Sequence, residues 1–319
     1  MGWYFYMDIM KNNIKVTVVC TAYNHEKYIK DALDGFIMQK TNFKYCVLVH
    51  DDASTDRTQQ IIKEYHRKYP DLIIPILQKE NKYSKGISIV REIIWPQIDS
   101  DYIAMCEGDD FWIDEYKLQK QYNAMEKHPE VDFCANAGLL LRNSNYIGEN
   151  RASEVETKFS TEKLLNEDGN FILTASWFYR RTMLKKIPDF YKIMGFDYNM
   201  QLWGSLRGGI LYLPDVMTVY RVASEGSWSQ RINKNNKKFA AWLRKVNTSM
   251  VAFNVDTNYR FNDIVDAAIN ERCFRIAVLE SDFKTLLSIS TLKTYASMTL
   301  KNKIKYVAKI ILCWFNNKK

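Results

Sequence analysis

The chain has 319 residues, of which 47% are hydrophobic and 14% aromatic, and its formal net charge is +8. This length suits one large domain or two small ones, and no apolar run approaches the roughly 20 residues that a membrane-spanning helix needs. The first 13 residues have neither the basic leading region nor the small-residue cleavage site of a signal peptide.

The cysteines point to a reducing compartment. There are six of them, none forms a CxxC pair, and three lie inside apolar runs. We therefore expect buried, reduced thiols and a cytoplasmic protein. The four histidines do not cluster with any cysteine, which argues against structural zinc.

The first third of the chain alternates predicted strands and helices. Apolar, β-branched runs predict strands, and apolar residues at helical spacing predict helices. In chain order we predict strand 15–22, helix 26–39, strand 44–50, helix 56–68, strand 72–77, helix 86–98 and strand 101–106. This alternation is typical of an α/β fold with a mostly parallel central sheet and helices on both faces. Ligands of such sheets bind at the carboxyl ends of the strands.

The pattern is less regular after residue 115. In chain order we predict helix 116–127, strand 131–141, polar loops over 142–170, strand 171–180, a helix near 197–207 and strand 209–222. From about residue 235 to the end the pattern is mainly helical.

Acidic residues follow two of the predicted strands directly. Asp51 and Asp52 follow one strand, and Glu107, Asp109 and Asp110 follow another. Carboxylates this close repel one another, so a cation is expected between them. Mg²⁺ and Mn²⁺ prefer hard oxygen ligands and typically bridge one or two carboxylates to substrate phosphates. A simple Gly/Asp turn is the alternative for the second group.

Asp51 and Asp52 have a second interpretation. The stretch from Ser54 to Asp56 suits a helix N-cap with a negative first turn. That explanation does not account for the two aspartates at the strand end, whose carboxylates can accept hydrogen bonds from a nucleobase edge or a ribose hydroxyl. The chain contains no GxxxxGK[ST] motif and no GxGxxG motif between a strand and a helix.

Five motifs in order carry a family resemblance. They are VTVVCTAYNHEKYI, VHDDASTDRT, ENKYSKGISIVR, MCEGDDFW, and GFDYNMQLW with YRVASEGSWS. Together they resemble family 2 glycosyltransferases with the GT-A fold, in particular the bacterial members that build surface polysaccharides. The resemblance implies a glycosyltransferase domain at 14–230, with a nucleotide-binding half at 14–115 and an acceptor half at 116–230. A helical C-terminal extension would occupy 231–319.

The resemblance also implies site residues. For the nucleotide-sugar donor, with uridine as the common base, these are Thr21, Ala22, Tyr23, Asn24, Asp51, Asp52, Asn81, Lys85, Glu107, Gly108, Asp110, Arg221 and Trp228. Asp109 and Glu107 match the metal-binding motif, with Mn²⁺ or Mg²⁺ as the ion. Thr174 and Ser176 are candidates for the acceptor cleft, and ordinary packing is the alternative for Trp228.

Asp197 matches the catalytic base of the family. It would take a proton from an acceptor hydroxyl, which attacks the anomeric carbon opposite the diphosphate and inverts its configuration. A helix N-terminal acid is the alternative for Asp197. The sequence departs from related ones after Tyr220 and Arg221, where a histidine is common and none is present here. We therefore expect weaker metal binding, or a site completed by water and phosphate.

Two other functions remain open from sequence. A nucleotidyltransferase also needs a metal at strand ends, but it normally has a Gly-rich, basic loop after the first strand, and Tyr-Asn-His-Glu is neither. A non-catalytic carbohydrate-binding or lipid-binding module of the same fold is the other alternative.

The C-terminal tail carries the excess charge. After Asp282 the chain has eight lysines and no acidic residue, which accounts for the whole net charge of +8. An amphipathic helix is predicted over 299–315, with Leu300, Ile304, Val307, Ala308, Ile311, Trp314 and Phe315 on one face and Lys301, Lys305 and Lys309 on the other. We predict contact with an anionic membrane at its inner face, where a lipid-linked acceptor would lie, and no nucleic acid partner. Docking of the helix on the domain core is the alternative.

Overall fold

The computed structural model describes residues 13–167, 171–195, 197–224 and 235–286, together with 295, 303–304, 307–308 and 311. The described residues form two compact units. The first takes the residues up to 187 and 200–224, and the second takes 188–199 and the residues after 224. The stretch 188–199, which the sequence assigned to the acceptor half, thus clusters with the C-terminal unit.

The first unit is built on one sheet. Its described strands are β1 (Ile14–Ala22), β2 (Lys44–Asp51), β3 (Ile73–Leu77), β4 (Tyr102–Met105), β5 (Phe111–Trp112), β6 (Phe133–Arg142), β7 (Asn145–Asn150), β8 (Thr157–Phe159), β9 (Phe178–Arg180) and β10 (Ile210–Arg221). The order is β3-β2-β1-β4-β9-β6-β10-β5, with β7 beside β6 and β8 beside β10. The strands β3, β2, β1 and β4 run parallel, whereas β9, β7, β8 and β5 pair antiparallel with their neighbours. The α/β prediction is confirmed, and the sheet as a whole is mixed.

The parallel strands are buried on both faces. In β1, Val16, Val18 and Cys20 share a buried cluster with residues of the helices at 29–37, 58–68 and 117–127, whereas Val19 on the opposite face is equally buried. Strands covered on both faces need continuous apolar runs rather than alternation. This is why the four strands at 15–22, 44–50, 72–77 and 101–106 were predictable from residue type.

The described helices are α1 (Ile29–Ile37), α2 (Thr58–Lys68), α3 (Lys117–Lys127), α4 (Thr161–Glu167), α5 (Asp189–Ile193), α6 (Asp197–Ser205), α7 (Asn236–Asp256), α8 (Asn262–Glu280) and α9 (Phe283–Leu286). The predicted helices at 26–39, 56–68, 116–127 and 197–207 are confirmed with shorter bounds. The amide of Thr58 at the start of α2 binds Asp56 at 2.9 Å, so Asp56 provides the capping contact there.

Two predicted elements are irregular. The expected helix at 86–98 is a π-helix at Ile89–Ile94 followed by a 3-10 turn at Trp95–Gln97. Pro96 has no N–H to donate, so a regular α-helical ladder cannot pass through it. The expected strand at 171–180 is a 3-10 turn at Thr174–Ser176 followed by the short β9.

The polar stretch 142–170 was expected to be loop but contains β7, β8 and α4. Most of β7 is exposed, and it pairs only with β6 among the described strands. The two apolar residues of β7, Tyr146 and Ile147, are adjacent and exposed, so the strand lacks the alternation from which strands are predicted.

The second unit is helical where it is described. Asn235 begins α7 by accepting a 3.0 Å hydrogen bond from the Lys238 amide through its side chain, as an N-cap residue does. Phe253 of α7 packs against Phe190 of α5 and against Phe261, with ring centroids 5.0 and 5.7 Å apart. Within the described part of the chain, none of the helices has the length and hydropathy that membrane crossing requires.

Candidate functional site

Both acidic segments meet the end of β1. The Asp52 amide donates to the Ala22 carbonyl at 3.0 Å, and the Gly108 amide donates to the Thr21 carbonyl at 2.9 Å. Because β2 and β4 flank β1 in parallel register, their carboxyl ends lie at the same edge of the sheet. The structure therefore brings the two acidic segments together around the last residues of one strand.

Asp51 is a buried anchor for the loop after β2. Its carboxylate accepts hydrogen bonds from the Ser54 amide at 2.9 Å, from the Ser54 hydroxyl, and from the Gln59 side chain at 2.6 Å. The side chain has no exposed surface. Asp51 thus orders this loop rather than facing an open ligand site.

Asp52 ties a second loop to the same edge. Its carboxylate accepts from the backbone amides of Lys82 and Tyr83 at 2.8 and 3.0 Å, and its carbonyl accepts from the Asn81 side chain at 3.2 Å. Asp52 is 4% exposed. Lys85, the other donor residue predicted on this loop, pairs with Glu80 at 2.5 Å on the surface.

The loop after β1 is fastened to the loop after β2. The Asn24 side chain accepts from the Thr55 amide at 2.8 Å, and the Asn24 amide donates to the Ser54 hydroxyl at 2.8 Å. Asn24 itself has a left-handed backbone with φ of 56°. The neighbouring Tyr23 is 39% exposed, so its ring is available to a planar group.

The loop between β4 and β5, residues Glu107–Asp110, is called here the acidic loop. The Ser224 hydroxyl donates to a carboxylate oxygen of Asp109 at 2.6 Å, and the Arg221 amide donates to Asp110 at 2.8 Å. A side chain at Gly108 would lie 2.9 Å from His25 Nδ1. Only glycine lets the acidic loop approach this closely.

Arg221 is held from several sides. Its guanidinium donates to the Asp109 carbonyl at 2.6 Å and to the carboxylate of Asp31 in α1. The guanidinium carbon lies 4.6 and 5.1 Å from the ring centroids of Phe111 and Tyr28. The Arg221 side chain is 12% exposed. The sequence placed Arg221 on the donor, whereas the described contacts of its guanidinium are with protein groups behind the acidic loop.

The electrostatic potential at this edge of the sheet is negative. Burial raises the pKa of the Cys20 thiol, and the carboxylates of Asp109, Glu107 and Asp110 raise it further. Burial lowers the pKa of the His25 imidazole below its usual range, against the opposing effect of Asp109. A neutral His25 beside the loop leaves the negative charge of the carboxylates in place.

Of the remaining predicted site residues, two are buried, one belongs to the second unit and one is not described by the structure. Ser176 is fully buried, and its hydroxyl donates to the Leu173 carbonyl at 2.6 Å. Thr174 is 8% exposed, so neither side chain presents much surface to an acceptor. Asp197 is the exposed first residue of α6 and belongs to the second unit. Trp228 lies outside the described residues.

Sequence reasoning missed three residues that contact this site: Asp31, Ser224 and His25. His25 Nδ1 is buried and has no hydrogen-bond partner. Asp31 binds the Arg221 guanidinium, and the Ser224 hydroxyl donates to the Asp109 carboxylate. Tyr28, Asp31 and Gly35 have a spacing typical of one helix face, but that signal alone does not identify a partner.

Hard oxygen ligands dominate the site. Among the residues that the structure describes, no three His, Cys, Asp or Glu side chains are grouped to hold a metal ion by themselves. Asp109 and Glu107 can nevertheless supply carboxylate oxygens to a cation whose other ligands are phosphate oxygens and water. The cysteines at this edge, Cys20 and Cys106, are buried free thiols, as predicted for a reduced protein.

Comparison with known sequences gives the family. The sequence model described as "Glycosyl transferase family 2" matches residues 17–188. The uncharacterized protein Rv1520 of Mycobacterium tuberculosis is 36% identical over 224 residues, which cover 70% of this chain and 63% of that protein. The matched region thus spans less than two thirds of that relative.

A second relative, TarS, is known both by sequence and by solved structure. Staphylococcus aureus TarS, a poly(ribitol-phosphate) beta-N-acetylglucosaminyltransferase, is 29% identical over 176 residues, or 54% of this chain and 28% of TarS. The crystal structure of TarS 1–349 in complex with UDP-GlcNAc superposes with a TM-score of 0.60 and 18% identity, over 93% of this chain and 79% of that one.

The mannosyltransferase PcManGT from Pyrobaculum calidifontis, solved with GDP-Man and Mn²⁺, superposes with a TM-score of 0.52 and 15% identity, over 99% of this chain and 95% of that one. The likeness to the solved structures confirms the predicted GT-A type of α/β fold.

Proposed function

The chain belongs to glycosyl transferase family 2, and we propose that it transfers a sugar from a nucleoside diphosphate donor to a hydroxyl group of a glycan or lipid-linked acceptor. The observation that carries this proposal is the meeting of two acidic segments at the end of β1. A UDP-sugar is the proposed donor, because TarS is an N-acetylglucosaminyltransferase solved with UDP-GlcNAc. Surface polysaccharide synthesis is the proposed context.

The nucleoside would bind where the loops after β1 and β2 are fastened together. Tyr23 offers an exposed ring for stacking on the base, and Asp52 with Asn81 would accept and donate hydrogen bonds at the base or ribose. Thr21, Ala22 and Asn24 would border the nucleoside from the end of β1. A rigid, cross-linked pair of loops lowers the entropy cost of ordering the site on binding.

A divalent cation, Mn²⁺ or Mg²⁺, would be held by Asp109 with Glu107 and would neutralise the charge of the donor diphosphate when bound. These two metal ligands fit this role, since both residues present carboxylate oxygens at the end of a parallel strand, and both are partly exposed. The hydroxyl of Ser224 orients Asp109 for it. The Mn²⁺ in PcManGT supports manganese as the first ion to test.

The proposed reaction is a single displacement. Asp197 takes the proton from the acceptor hydroxyl, and the acceptor oxygen forms a bond to the anomeric carbon. The bond from that carbon to the diphosphate oxygen breaks, and its electron pair leaves with the nucleoside diphosphate. Attack from the opposite face inverts the anomeric configuration. A general base of this kind typically contributes 10²–10⁴-fold.

We also propose that the lysine-rich tail holds the enzyme at an anionic membrane from the cytoplasmic side. Much of the predicted helix 299–315 lies outside the described residues, but Ile304, Val307 and Ile311 are helical and 63%, 40% and 49% exposed. Their spacing places them on one face. Deleting 299–319 should abolish binding to liposomes that contain anionic lipid, and unchanged binding would reject this role.

The decisive experiment is a screen of sugar nucleotides with Mn²⁺. We expect one UDP-sugar to raise the unfolding temperature and to be consumed with release of UDP in the presence of acceptor. Asp109→Asn should abolish both effects, whereas Asp114→Asn, which weakens a partly buried pair with Lys120, should not. Release of pyrophosphate from a nucleoside triphosphate would favour a nucleotidyltransferase, and binding without turnover would favour a non-catalytic module.

A further inference from the structure

One face of α1 lies against Arg221 and β5, which both adjoin the acidic loop. Tyr28, which directly precedes α1, and Asp31 and Gly35 within it are spaced i, i+3 and i+7, so they share one face of the helix. Arg221 lies over the Tyr28 ring and pairs with Asp31. A side chain at Gly35 would lie 2.9 Å from the backbone of Trp112 in β5, so α1 packs tightly beside the strand that ends this loop.

Arg221 connects α1 to the acidic loop. One guanidinium nitrogen binds Asp31, and another donates to the Asp109 carbonyl at 2.6 Å. The backbone amide of Arg221 binds the Asp110 carboxylate at 2.8 Å. Three consecutive residues of the loop and its strand, Asp109, Asp110 and Phe111, therefore contact one arginine.

The charge of Asp31 decides where this guanidinium points. An arginine beside three carboxylates is attracted to them, and a guanidinium on the Asp109 carboxylate would compete with a cation and repel it. Asp31 offers the arginine a separate anion on the α1 side. With that partner, Arg221 binds the Asp109 carbonyl and leaves the Asp109 carboxylate to Ser224 and to a ligand.

We propose that Asp31 is a positioning residue of the donor site, which holds Arg221 on α1 and so keeps the acidic loop in its cation-binding geometry. This inference rests on the proposed function of the loop. The proposed effect of Asp31 reaches the site through Arg221, which binds both Asp31 and the Asp109 carbonyl.

The test compares Asp31→Asn with Asp34→Asn. Both aspartates lie in α1, their side chains are 50% and 49% exposed, and each pairs with one cation, Arg221 and Lys30 respectively. Asp34 also accepts a 2.6 Å hydrogen bond from the Tyr65 hydroxyl, which an asparagine oxygen can still accept. Only Asp31 is connected to the acidic loop, so Asp34→Asn controls for the loss of a surface charge on this helix.

We expect Asp31→Asn to weaken binding of Mn²⁺, and of UDP in its presence, about threefold to tenfold by calorimetric titration, because one tether of the site is lost. Asp34→Asn should bind both as the wild type does. Asp31→Glu should retain affinity within about threefold, since it keeps the charge. Both asparagine variants should unfold within about 3 °C of the wild type, because exposed pairs contribute little to stability.

Hydrogen exchange separates this inference from the proposed function. Amides of residues 105–112 should exchange faster in Asp31→Asn than in Asp34→Asn without any ligand, since the loop has lost its support. Unchanged exchange together with unchanged affinity overturns the role of Asp31. If the wild type binds neither Mn²⁺ nor UDP, the proposed function fails, and exchange alone decides: faster exchange supports the positioning role and unchanged exchange overturns it.

Discussion

The Ser224 hydroxyl donates a 2.6 Å hydrogen bond to Asp109, although 115 positions separate the two residues. Ser224 follows β10 and is 8% exposed, and it lies three positions after Arg221, in the stretch where related sequences often carry a histidine. A hydroxyl here orients the carboxylate that we propose as a metal ligand, and it adds no nitrogen ligand. The end of β10 therefore completes a site that begins at the end of β4.

Ser224→Ala should lower kcat/KM for the donor by about tenfold to a hundredfold. The variant loses one hydrogen bond to a charged group, which is worth about 1.5–3 kcal/mol, and Asp109 becomes free to rotate. Initial rates at varied donor and Mn²⁺ concentrations measure the effect. Ser153→Ala, in a loop between β7 and β8, serves as the control, and equal rates for the two variants would show that the Ser224 contact has no functional role.

Asp197→Asn should lower kcat by about 10²–10⁴-fold, as expected for loss of a general base, while the Kd for UDP stays unchanged. Asp189→Asn is a matched control, because Asp189 is also the first residue of a helix in the second unit. Single-turnover transfer and calorimetry together separate the two quantities. Retained turnover in Asp197→Asn would mean that another group accepts the proton.

Gly108→Ala should destabilise the fold by about 1–3 kcal/mol, the usual cost of overpacking, and should weaken UDP binding. The added Cβ would lie 2.9 Å from both His25 Nδ1 and Ile29 Cδ1, so these two side chains or the acidic loop must shift. Gly148→Ala adds a methyl group with nothing within 4 Å, at φ of 149°. We expect that control to lose some stability, measured by urea unfolding, and no affinity for UDP.

The fully buried Lys117 should make stability depend on pH. Burial lowers the pKa of its ammonium group to about 7, while its Nζ lies 4.1 Å from the Trp112 ring centroid and donates to Gln121 at 2.6 Å. Between pH 7 and 10.5 the unfolded chain holds a proton on Lys117 that the folded chain has lost. The contribution of this group to stability therefore rises with pH across that window, by at most about 1.4 kcal/mol per pH unit.

Replacing the lysine removes this pH dependence. Between pH 7.5 and 9.5 the free energy of unfolding should increase less in Lys117→Met than in the wild type, as measured by urea unfolding at each pH. Lys127→Met, at the exposed end of the same helix, should keep the wild-type slope. Identical slopes in wild type and Lys117→Met would mean that Lys117 remains charged in the folded protein.

Local sequence was enough to predict the parallel half of the sheet and the positions of its acidic residues. Strands such as β1 and β2 are buried on both faces, and continuous β-branched runs are a direct record of that burial. Parallel strands end at one edge, so Asp52 and Asp109 were expected to lie near each other. The segment 86–98 was predicted as a regular helix, but it is a π-helix and a 3-10 turn, because Pro96 has no N–H to donate. The exposed β7 was not predicted, because it lacks the alternation of a strand with one buried face.

The sequence by itself determined which chemical groups this protein brings to the edge of its sheet, since strand patterns and their terminal residues are encoded in adjacent positions. Only the tertiary structure decided how those groups are held. Asp31 and Arg221 are 190 positions apart, and Asp51 and Asp52 turned out to fasten loops through buried hydrogen bonds. Contacts across such distances depend on the order in which strands pair, and no local period in the chain records that order.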